Sequence, residues 1–210
     1  MVDSHKSFAQ STSSIAVVIP IKAFEQAKDR LSSVLDADQR KHLARTTALG
    51  VIESARPVAI FVVCDNLEVS QWATLHGATV VRQHGAGLNA AVQEGISAAH
   101  KYERVMIVHS DLPLPSRLHE LLDSSIAGNT VTIVPDRHRD GTNVLIIPSD
   151  VGFKCHYGAK SFEAHTAEAT RLGLQLQIIE DDELALDIDT PDDLAVLPTQ
   201  WLEQHNITLF

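Results

Sequence analysis

Short apolar runs alternate with amphipathic stretches along almost the whole chain, and this alternation limits the possible folds more than any other feature. The apolar runs have the length of buried strands, and the stretches between them place apolar residues at helical spacing. A repeat of strand, helix and strand is typical of a parallel sheet with helices packed on both faces. The sequence therefore predicts an α/β fold with a mostly parallel sheet.

The boundaries of the predicted elements follow from periodicity and from capping residues. Helices are expected to start after Asp36 with Gln39, after Asn66, after Ser116 and after Thr190 with Pro191. Two more are expected over residues 88–99 and 161–172. The predicted strands cover residues 15–19, 58–63, 78–81, 104–109, 130–134, 143–147 and 174–179. A charged turn joins the fifth and sixth strands, which predicts a hairpin.

Length and composition limit the domain count and the partners. Residues 1–14 are polar and Ser-rich, so we expect a disordered tail followed by a single domain over residues 15–210. With 17 Lys and Arg against 27 Asp and Glu, the net charge of -10 argues against nucleic acid or an anionic membrane as partner. No apolar run could span a bilayer, and the two cysteines do not form a Cys-x-x-Cys pair. These features predict a cytoplasmic protein.

Two acidic segments follow strand-like runs far apart in the chain. Asp111 follows residues 104–109 within the run His-Ser-Asp-Leu-Pro, and Asp187 and Asp189 follow a second apolar segment. Ligands of open α/β sheets bind beyond the carboxyl ends of the strands, so the two segments are expected to meet there. Paired carboxylates at such a site are typical of Mg²⁺ held against phosphate oxygens. Capping of the turn Leu112–Pro113 is an equally good account of Asp111 taken alone.

Two further segments have features of a phosphate or nucleotide site. The connection after the first strand contains the cations Lys22, Lys28 and Arg30, which could bind a polyphosphate, although such loops are more often solvated surface. Residues 85–89, Gly-Ala-Gly-Leu-Asn, lead from a strand into a helix, where Gly87 permits close backbone approach and Asn89 could bind a base or ribose. Glycines that merely turn the chain are an equally good explanation.

Two polar segments lie between the acidic motifs. The turn at residues 135–143 is longer and more charged than a tight hairpin needs, which favours a substrate loop. Residues 157–162, Tyr-Gly-Ala-Lys-Ser-Phe, precede a helix, so the backbone and Ser161 could bind an anion, or Ser161 could simply cap the helix. The eleven histidines have no paired metal-ligand spacing, and no role follows for His109 or His138.

Taken together, these segments resemble one family, the phospholactate/phosphoenolpyruvate guanylyltransferases of coenzyme F-420 biosynthesis. The resemblance covers about residues 15–197 in the order and spacing of the family. It rests on six motifs, namely residues 18–22 with 27–31, residues 87–91, residues 110–113, residues 135–137 with 141–143, residues 157–158 with 161–162, and residues 187–191.

The resemblance implies a GT-A-like (Rossmann-like) nucleotidyltransferase that moves GMP from GTP onto a phosphorylated three-carbon acid and releases pyrophosphate. It implies Mg²⁺ as cofactor, held by Asp111 and Asp187 with Asp189 as a third ligand. It places the acid substrate at Thr142, Gly158 and Ser161. It also implies a catalytic role for the two lysines of the first loop. The nucleotide contacts that it implies are Lys22, Lys28, Arg30, Gly87 and Asn89.

The chain departs from the family pattern at several positions near the implied acid site. His109 precedes Ser110 where the family usually has Gly at the latter position, residues 137–140 are more bulky and charged, and Tyr157 replaces Phe. These changes leave open whether the acid is phosphoenolpyruvate, 2-phospho-L-lactate or 3-phospho-D-glycerate. An added donor such as His138 would suit a longer, hydroxylated acid.

Three other possibilities remain open from the sequence. A cytidylyltransferase or a molybdenum-cofactor guanylyltransferase would have the same fold, and a non-catalytic nucleotide-binding module would need no turnover. The missing Gly-x-Ser-x-Gly motif argues against a serine hydrolase. The apolar segment at residues 207–210 could cover an exposed edge or contact a second copy in a homodimer.

Overall fold

The computed structural model describes residues 14–123 and 128–209, in which seven strands form one sheet. The expected tail at residues 1–14 lies outside the described residues except for Ser14. In chain order the strands are β1 (Ile15–Pro20), β2 (Ala59–Cys64), β3 (Thr79–Arg82), β4 (Arg104–Val108), β5 (Thr130–Pro135), β6 (Thr142–Pro148) and β7 (Gln175–Ile178).

Seven α-helices are present in the same residues. They are α1 (Ala37–Ser54), α2 (Leu67–Leu75), α3 (Leu88–Ala98), α4 (Leu118–Asp123), α5 (Ser161–Arg171), α6 (Pro191–Ala195) and α7 (Thr199–Gln204). The expected caps of α1, α2 and α6 are confirmed. Asp36 and Gln39 form a capping box, Asn66 accepts a hydrogen bond from the Val69 N–H, and Thr190 forms a capping box with Asp193.

The sheet is mostly parallel, with the order β3-β2-β1-β4-β6-β5-β7. Only β6 runs against its neighbours, because a short turn joins it to β5 and a parallel pairing would need a long crossover. The predicted hairpin is therefore confirmed. Since β6 is inserted next to β4 in the opposite direction, its first residues lie beside the carboxyl end of β4, where Val108 pairs with Val144.

Alternating side chains of the strands form a core on each face of the sheet. In β1, Val17 and Ile19 pack with α1 and α2, whereas Ala16 and Val18 pack with α3 and the buried Ala169 of α5. The expected α/β fold with helices on both faces is thus confirmed.

A third cluster supports one end of the sheet. It joins Leu31 and Leu35, which follow the first loop, to Ile188 and Trp201 near the end of the chain. The indole Nε1 of Trp201 donates to the Pro113 carbonyl at 3.0 Å. This cluster therefore fixes the backbone directly behind both acidic segments.

Some expected boundaries were wrong. Ser116 does not cap an α-helix, because Pro115 starts a 3₁₀ turn over Pro115–Arg117 and α4 begins only at Leu118. No element was predicted in the loop after β1, and it contains 3₁₀ turns at Phe24–Gln26 and Asp29–Leu31. The short α7 was not predicted. The alternation of apolar and polar residues over 174–179 predicts a half-exposed strand, whereas all four residues of the edge strand β7 are exposed.

The close approach of α3 to the sheet yields a prediction for stability. A Cβ atom at Gly95 would overlap with Cγ1 of Val18 and lie 2.9 Å from Cγ2 of Val63. We expect Gly95→Ala to lower the free energy of unfolding by about 1–3 kcal/mol, because overpacking forces the helix away from the sheet. Urea denaturation measures this change.

Gly50→Ala in α1 is the matched control. A Cβ there would lie 3.4 Å from Cγ of Pro115, and alanine favours a helix interior over glycine by up to about 1 kcal/mol. We expect this variant to be as stable as the wild type or more so. Equal stability of Gly95→Ala and the wild type would contradict the tight packing.

Candidate functional site

A cavity of about 630 Å³ lies at the edge of the sheet where β1, β2, β3 and β4 end. Loops after all four strands reach it, and its charged lining consists of Lys22, Lys28, Asp65, Asp111, Asp187 and Asp189. A second cavity, of about 610 Å³, lies at the opposite edge near Tyr102 and Ser149. Ligands of open α/β sheets bind beyond the carboxyl ends of the strands, which favours the first cavity.

Lys28 joins the two acidic segments. Its ammonium lies 2.7 Å from Oδ2 of Asp111 and 3.2 Å from Oδ1 of Asp189, and it also donates to the Ile188 carbonyl. Only 6% of the side chain is exposed. Burial alone would lower the pKa of Lys28, but the two carboxylates outweigh it and raise that pKa. The lysine is therefore a buried cation between two carboxylates.

The surroundings of Asp187 disfavour its charged form, whereas those of Lys28 favour the charged form. Burial, followed by the nearby carboxylate of Asp111, raises the pKa of Asp187 to about 6. Its Oδ1 lies 3.4 Å from Nδ2 of Asn143, a long contact, and the same amide donates to the Leu184 carbonyl at 3.1 Å. Asp111 itself is held below its usual pKa, since Lys28 and His109 outweigh the effect of burial. The carboxylates of Asp111 and Asp187 are close enough to repel one another.

This donor set fits Mg²⁺. Oδ1 of Asp111 is buried and has no hydrogen-bond partner among the described residues, and the repulsion with Asp187 would be relieved by a cation. Within residues 14–123 and 128–209, no group of three His, Cys, Asp or Glu side chains could enclose a metal ion. Mg²⁺ commonly uses one or two carboxylates and completes its shell with water and phosphate.

The segment at residues 85–89, called the glycine loop below, lies beside the cavity and is held by two side chains. The carboxylate of Glu94 accepts the N–H groups of His84 and Gly85 at 2.9 and 2.8 Å. Nε2 of Gln83 donates to the carbonyls of Gly85 and Gly87 at 2.7 and 3.0 Å. The loop is thus held in one conformation without a ligand.

The loop leads directly into α3 at the cavity. Gly87 has a φ of 84°, which favours glycine, and it lines the cavity together with Leu88 and Ala91. The first N–H groups of a helix have no intrahelical acceptor and carry partial positive charge. The start of α3 can therefore bind an anion or a polar edge of a base.

Asn89 has partners that were not expected from the sequence. Its Nδ2 donates to the Tyr157 carbonyl at 3.0 Å, and its Oδ1 accepts the Tyr157 N–H at 2.7 Å. One amide hydrogen of Asn89 remains for a ligand. The residue lies outside the cavity lining, so its main contact in this structure is a clamp between α3 and the segment before α5.

The residues implied for the acid substrate lie together, next to the cavity rather than in its lining. The Ser161 N–H donates to the Gly158 carbonyl at 3.1 Å, and Thr142 and Ser161 are both buried. The Tyr157 ring contacts His109, which lines the cavity, and His165, which contacts Thr142. Tyr157 therefore connects the acidic cavity to this group.

The charged turn before β6 is a structural junction. Arg137 pairs with Asp193 at 2.5 Å, and Arg139 pairs with Glu180. The Asp136 carboxylate accepts the N–H groups of His138 and Asp140. Both arginines of the expected substrate loop are thus paired with carboxylates. His138, in the same turn, is exposed.

The cations of the first loop differ in position. Lys22 and Lys28 both line the cavity, whereas Arg30 is exposed and lies outside the lining. The sequence reasoning also overlooked Glu94, Gln83, Asn143 and His165. Asn143 belongs to the motif at residues 141–143 and could have been recognised from it. The other three are brought to the site by tertiary contacts, which the spacing of residues in the sequence does not show.

The fold is similar to that of a solved nucleotidyl transferase. A solved nucleotidyl transferase from Methanothermobacter thermautotrophicus superposes with a TM-score of 0.64 at 17% identity, covering 90% of this chain and 98% of that one. At this identity the likeness shows the fold alone.

Sequence relatives define the family more closely. The phosphoenolpyruvate guanylyltransferase of Rubrobacter xylanophilus is 34% identical over 88% of this chain and 93% of its own. The 2-phospho-L-lactate guanylyltransferase of Methanocaldococcus infernus is 27% identical over 85% and 82%. The family model for guanylyl transferase CofC like proteins matches residues 15–200. The chain belongs to this family, and the resemblance seen in its motifs is confirmed. None of the described helices is long and apolar enough to cross a bilayer.

The Tyr157 hydroxyl yields a stability prediction. It is buried and has no hydrogen-bond partner among the described residues, and burial raises its pKa well above the usual value. We expect Tyr157→Phe to leave the free energy of unfolding unchanged or to raise it by about 1 kcal/mol, because an unsatisfied buried hydroxyl is costly. Chemical denaturation provides the measurement.

Thr47→Val is the contrasting variant. The buried Thr47 hydroxyl lies 3.2 Å from the carbonyls of Leu43 and Ala44, so its removal should cost about 1 kcal/mol. A loss in Tyr157→Phe as large as that in Thr47→Val would show that the Tyr157 hydroxyl has a partner in solution.

Proposed function

We propose that this chain transfers GMP from GTP to a phosphorylated three-carbon acid and releases pyrophosphate, as a step of coenzyme F-420 biosynthesis in the cytoplasm. The observation that carries the proposal is the convergence of Asp111 and Asp187 on one cavity beside the glycine loop. The names of the relatives, phosphoenolpyruvate guanylyltransferase and 2-phospho-L-lactate guanylyltransferase, support the two substrates. A homodimer stays a prediction, since Ile207 is buried in the third core cluster and Phe210 lies outside the described residues.

The nucleotide is assigned to the glycine loop and the lysines. Gly87 and the start of α3 offer backbone donors, while Lys22 and Lys28 supply positive charge for the triphosphate at the same edge. We assign secondary roles to Asn89, through its one remaining amide hydrogen, and to Arg30, which would have to turn inward from its exposed position.

We assign Mg²⁺ to Asp111 and Asp187, with Asp189 as an additional ligand. When bound, the ion would supply charge stabilisation for the triphosphate and the leaving pyrophosphate. Two of these carboxylates, Asp111 and Asp189, already pair with the ammonium of Lys28. The buried Oδ1 of Asp111 has no partner among the described residues and Asp187 is repelled by Asp111, which supports a divalent ion between these two.

The acid would react through its own phosphate. A phosphate oxygen forms a bond to the α-phosphorus of GTP, and the bond from that phosphorus to the bridging oxygen of pyrophosphate breaks. The nucleophile is already anionic at neutral pH, because the second pKa of a phosphate monoester is about 6. The chain therefore needs no general base, and its contribution is positioning and charge stabilisation. Thr142, Gly158 and Ser161 are assigned to the acid.

A panel assay tests this function. GTP and Mg²⁺ are incubated with phosphoenolpyruvate, 2-phospho-L-lactate or 3-phospho-D-glycerate, and pyrophosphate and the mass of the product are measured. We expect release of one pyrophosphate per guanylylated acid with at least one of the three. CTP and ATP serve as controls for the nucleotide. No product with any acid, from protein that binds GTP, would favour a non-catalytic nucleotide-binding module.

Asp111→Asn tests the metal assignment. We expect the rate of GMP transfer to fall by about 10³-fold or more, because the lost ligand removes several kcal/mol of charge stabilisation. Thermal unfolding should show an intact fold. The control is Asp192→Asn, at an exposed residue in the first turn of α6 with no place in the site, which should keep wild-type activity. A folded Asp111→Asn variant with most of its activity would remove Asp111 from the metal site.

Lys28→Met tests how the buried lysine affects metal binding. In the absence of nucleotide, we expect Mn²⁺, used as a probe, to bind at least about tenfold more tightly. Removal of a neighbouring like charge relieves roughly 1–4 kcal/mol of repulsion. GTP affinity should fall in the same variant, because a phosphate contact is lost. Isothermal titration measures both.

The control is Lys22→Met, which removes a lysine from the same cavity that forms no ion pair within residues 14–123 and 128–209. Its effect on Mn²⁺ affinity should be under about threefold. Equal effects of the two variants would mean that the contacts of Lys28 with Asp111 and Asp189 do not form in solution.

A further inference from the structure

His165 is a fully buried histidine of α5 that no part of the proposed mechanism uses. Both ring nitrogens have partners. Nε2 lies 3.0 Å from the main-chain N of His156, and Nδ1 lies 3.0 Å from Oγ1 of Thr142. The ring also packs against that of Tyr157 in a T-shaped arrangement, with the ring centroids 4.8 Å apart. Both ring nitrogens therefore fix the orientation of the imidazole, and one of them contacts Thr142, which the family resemblance assigns to the acid substrate.

The contact with His156 determines where the ring proton resides. A main-chain N–H can only donate, so Nε2 of His165 must be the unprotonated acceptor. A neutral imidazole then carries its single hydrogen on Nδ1. Burial, with smaller effects from His156 and His109, lowers the pKa of His165 to about 4, so the ring stays neutral at physiological pH.

The position of this proton also determines whether the Thr142 hydroxyl donates to His165 or accepts from it. Because Nδ1–H of His165 donates to Oγ1 of Thr142, that oxygen acts as an acceptor toward the histidine. The hydroxyl hydrogen of Thr142 must then point elsewhere, and no acceptor for it is present in the described parts of the chain. Thr142 is completely buried, so an unused donor there is costly unless a ligand accepts it.

Thr142 lies at the edge of the sheet that carries the cavity. It is the first residue of β6, directly before Asn143, whose amide approaches Asp187 on the other face of the sheet. The His109 N–H donates to the Asn143 carbonyl at 3.0 Å, which joins this end of β6 to the segment that bears Asp111. Tyr157 contacts both His165 and His109, and His109 lines the cavity, so the Thr142 side chain is linked to the cavity through these rings.

We propose that His165 is a positioning residue that makes the Thr142 hydroxyl an obligate donor to an anionic oxygen of the phospho-acid. The proposal rests on the function assigned above and extends it to the recognition of one substrate. A carboxylate or phosphate oxygen can only accept, so a hydroxyl committed to donation discriminates in favour of the acid. His165 acts through Thr142 and does not contact the substrate.

The first test measures the tautomer in the wild-type protein. The ¹⁵N chemical shifts of the histidine rings distinguish protonated from unprotonated nitrogens, and His165→Asn assigns the signal. We expect a single proton, on Nδ1, that persists from pH 8 to about pH 5. A proton on Nε2, or a ring that titrates near pH 6.5, would overturn the proposal without any reference to activity.

The second test separates the two substrates kinetically. Loss of one hydrogen bond to a charged group costs about 1.5–3 kcal/mol, so we expect Thr142→Val to raise KM for the acid roughly 10-fold to 100-fold. His165→Phe and His165→Gln should raise the same KM by up to this factor, because they release the Thr142 hydroxyl from its fixed orientation. KM for GTP should change less than twofold. His165→Asn can place an amide donor near the position of Nδ1, so it should retain more of the affinity for the acid.

A double-mutant cycle with Thr142→Val completes the design. If His165 acts through Thr142, His165→Phe should add little in the Thr142→Val background. Additive effects, or equal increases in KM for both substrates, would mean a structural role only and would overturn the proposal. If His165→Phe does not fold, the comparison of His165→Asn with His165→Gln and the tautomer measurement still decide. Absence of turnover in the wild type would instead refute the proposed function, and with it the substrate part of the proposal.

Discussion

The buried ammonium of Lys28 is the interaction on which the arrangement of the site depends. It joins the loop after β1 to the segment after β4 and to the segment at Ile188 and Asp189, more than 150 residues further along the chain. Three carboxylates crowded at one edge of a sheet would repel one another without a cation. The lysine supplies that cation. The apolar cluster that includes Leu31 and Ile188 also holds the joined segments together by packing.

The cavity is preorganised on its two other sides by different means. Glu94 and Gln83 hold the glycine loop through four main-chain groups, so the loop does not need a nucleotide to be ordered. The clamp between Asn89 and the Tyr157 backbone ties the same helix to the segment before α5. The region assigned to the nucleotide and the region assigned to the acid are thus mechanically connected, and such preorganisation lowers the entropic cost of binding.

Local signals in the sequence predicted the fold well. The capping box of Asp36 and Gln39 and the Thr190–Pro191 start are decided within one turn of helix, and strand periodicity is decided by the burial of alternate residues. The convergence of Asp111 and Asp187 was predictable too, because the edge of a parallel sheet collects the ends of its strands. The exception among the caps is Ser116, where a proline one residue earlier set a 3₁₀ turn instead.

What the sequence could not predict depends on contacts between distant segments. Nothing near Arg30 shows that it faces away from the cavity while Lys28 is buried, since both belong to the same basic loop. Glu94 and His165 look like ordinary surface and core residues of amphipathic helices.

The antiparallel direction of β6 also determines which of its residues reach the site. Its amino end lies beside the acidic motif, and its pairing with β5 is irregular there, because Pro135 pairs with Thr142 and Val134 with Val144. Asn143 therefore contacts Asp187, whereas Thr142 contacts His165. Regular pairing without this irregularity would turn Thr142 toward the face of Val144 and Ile146, so one local feature of the hairpin governs both contacts.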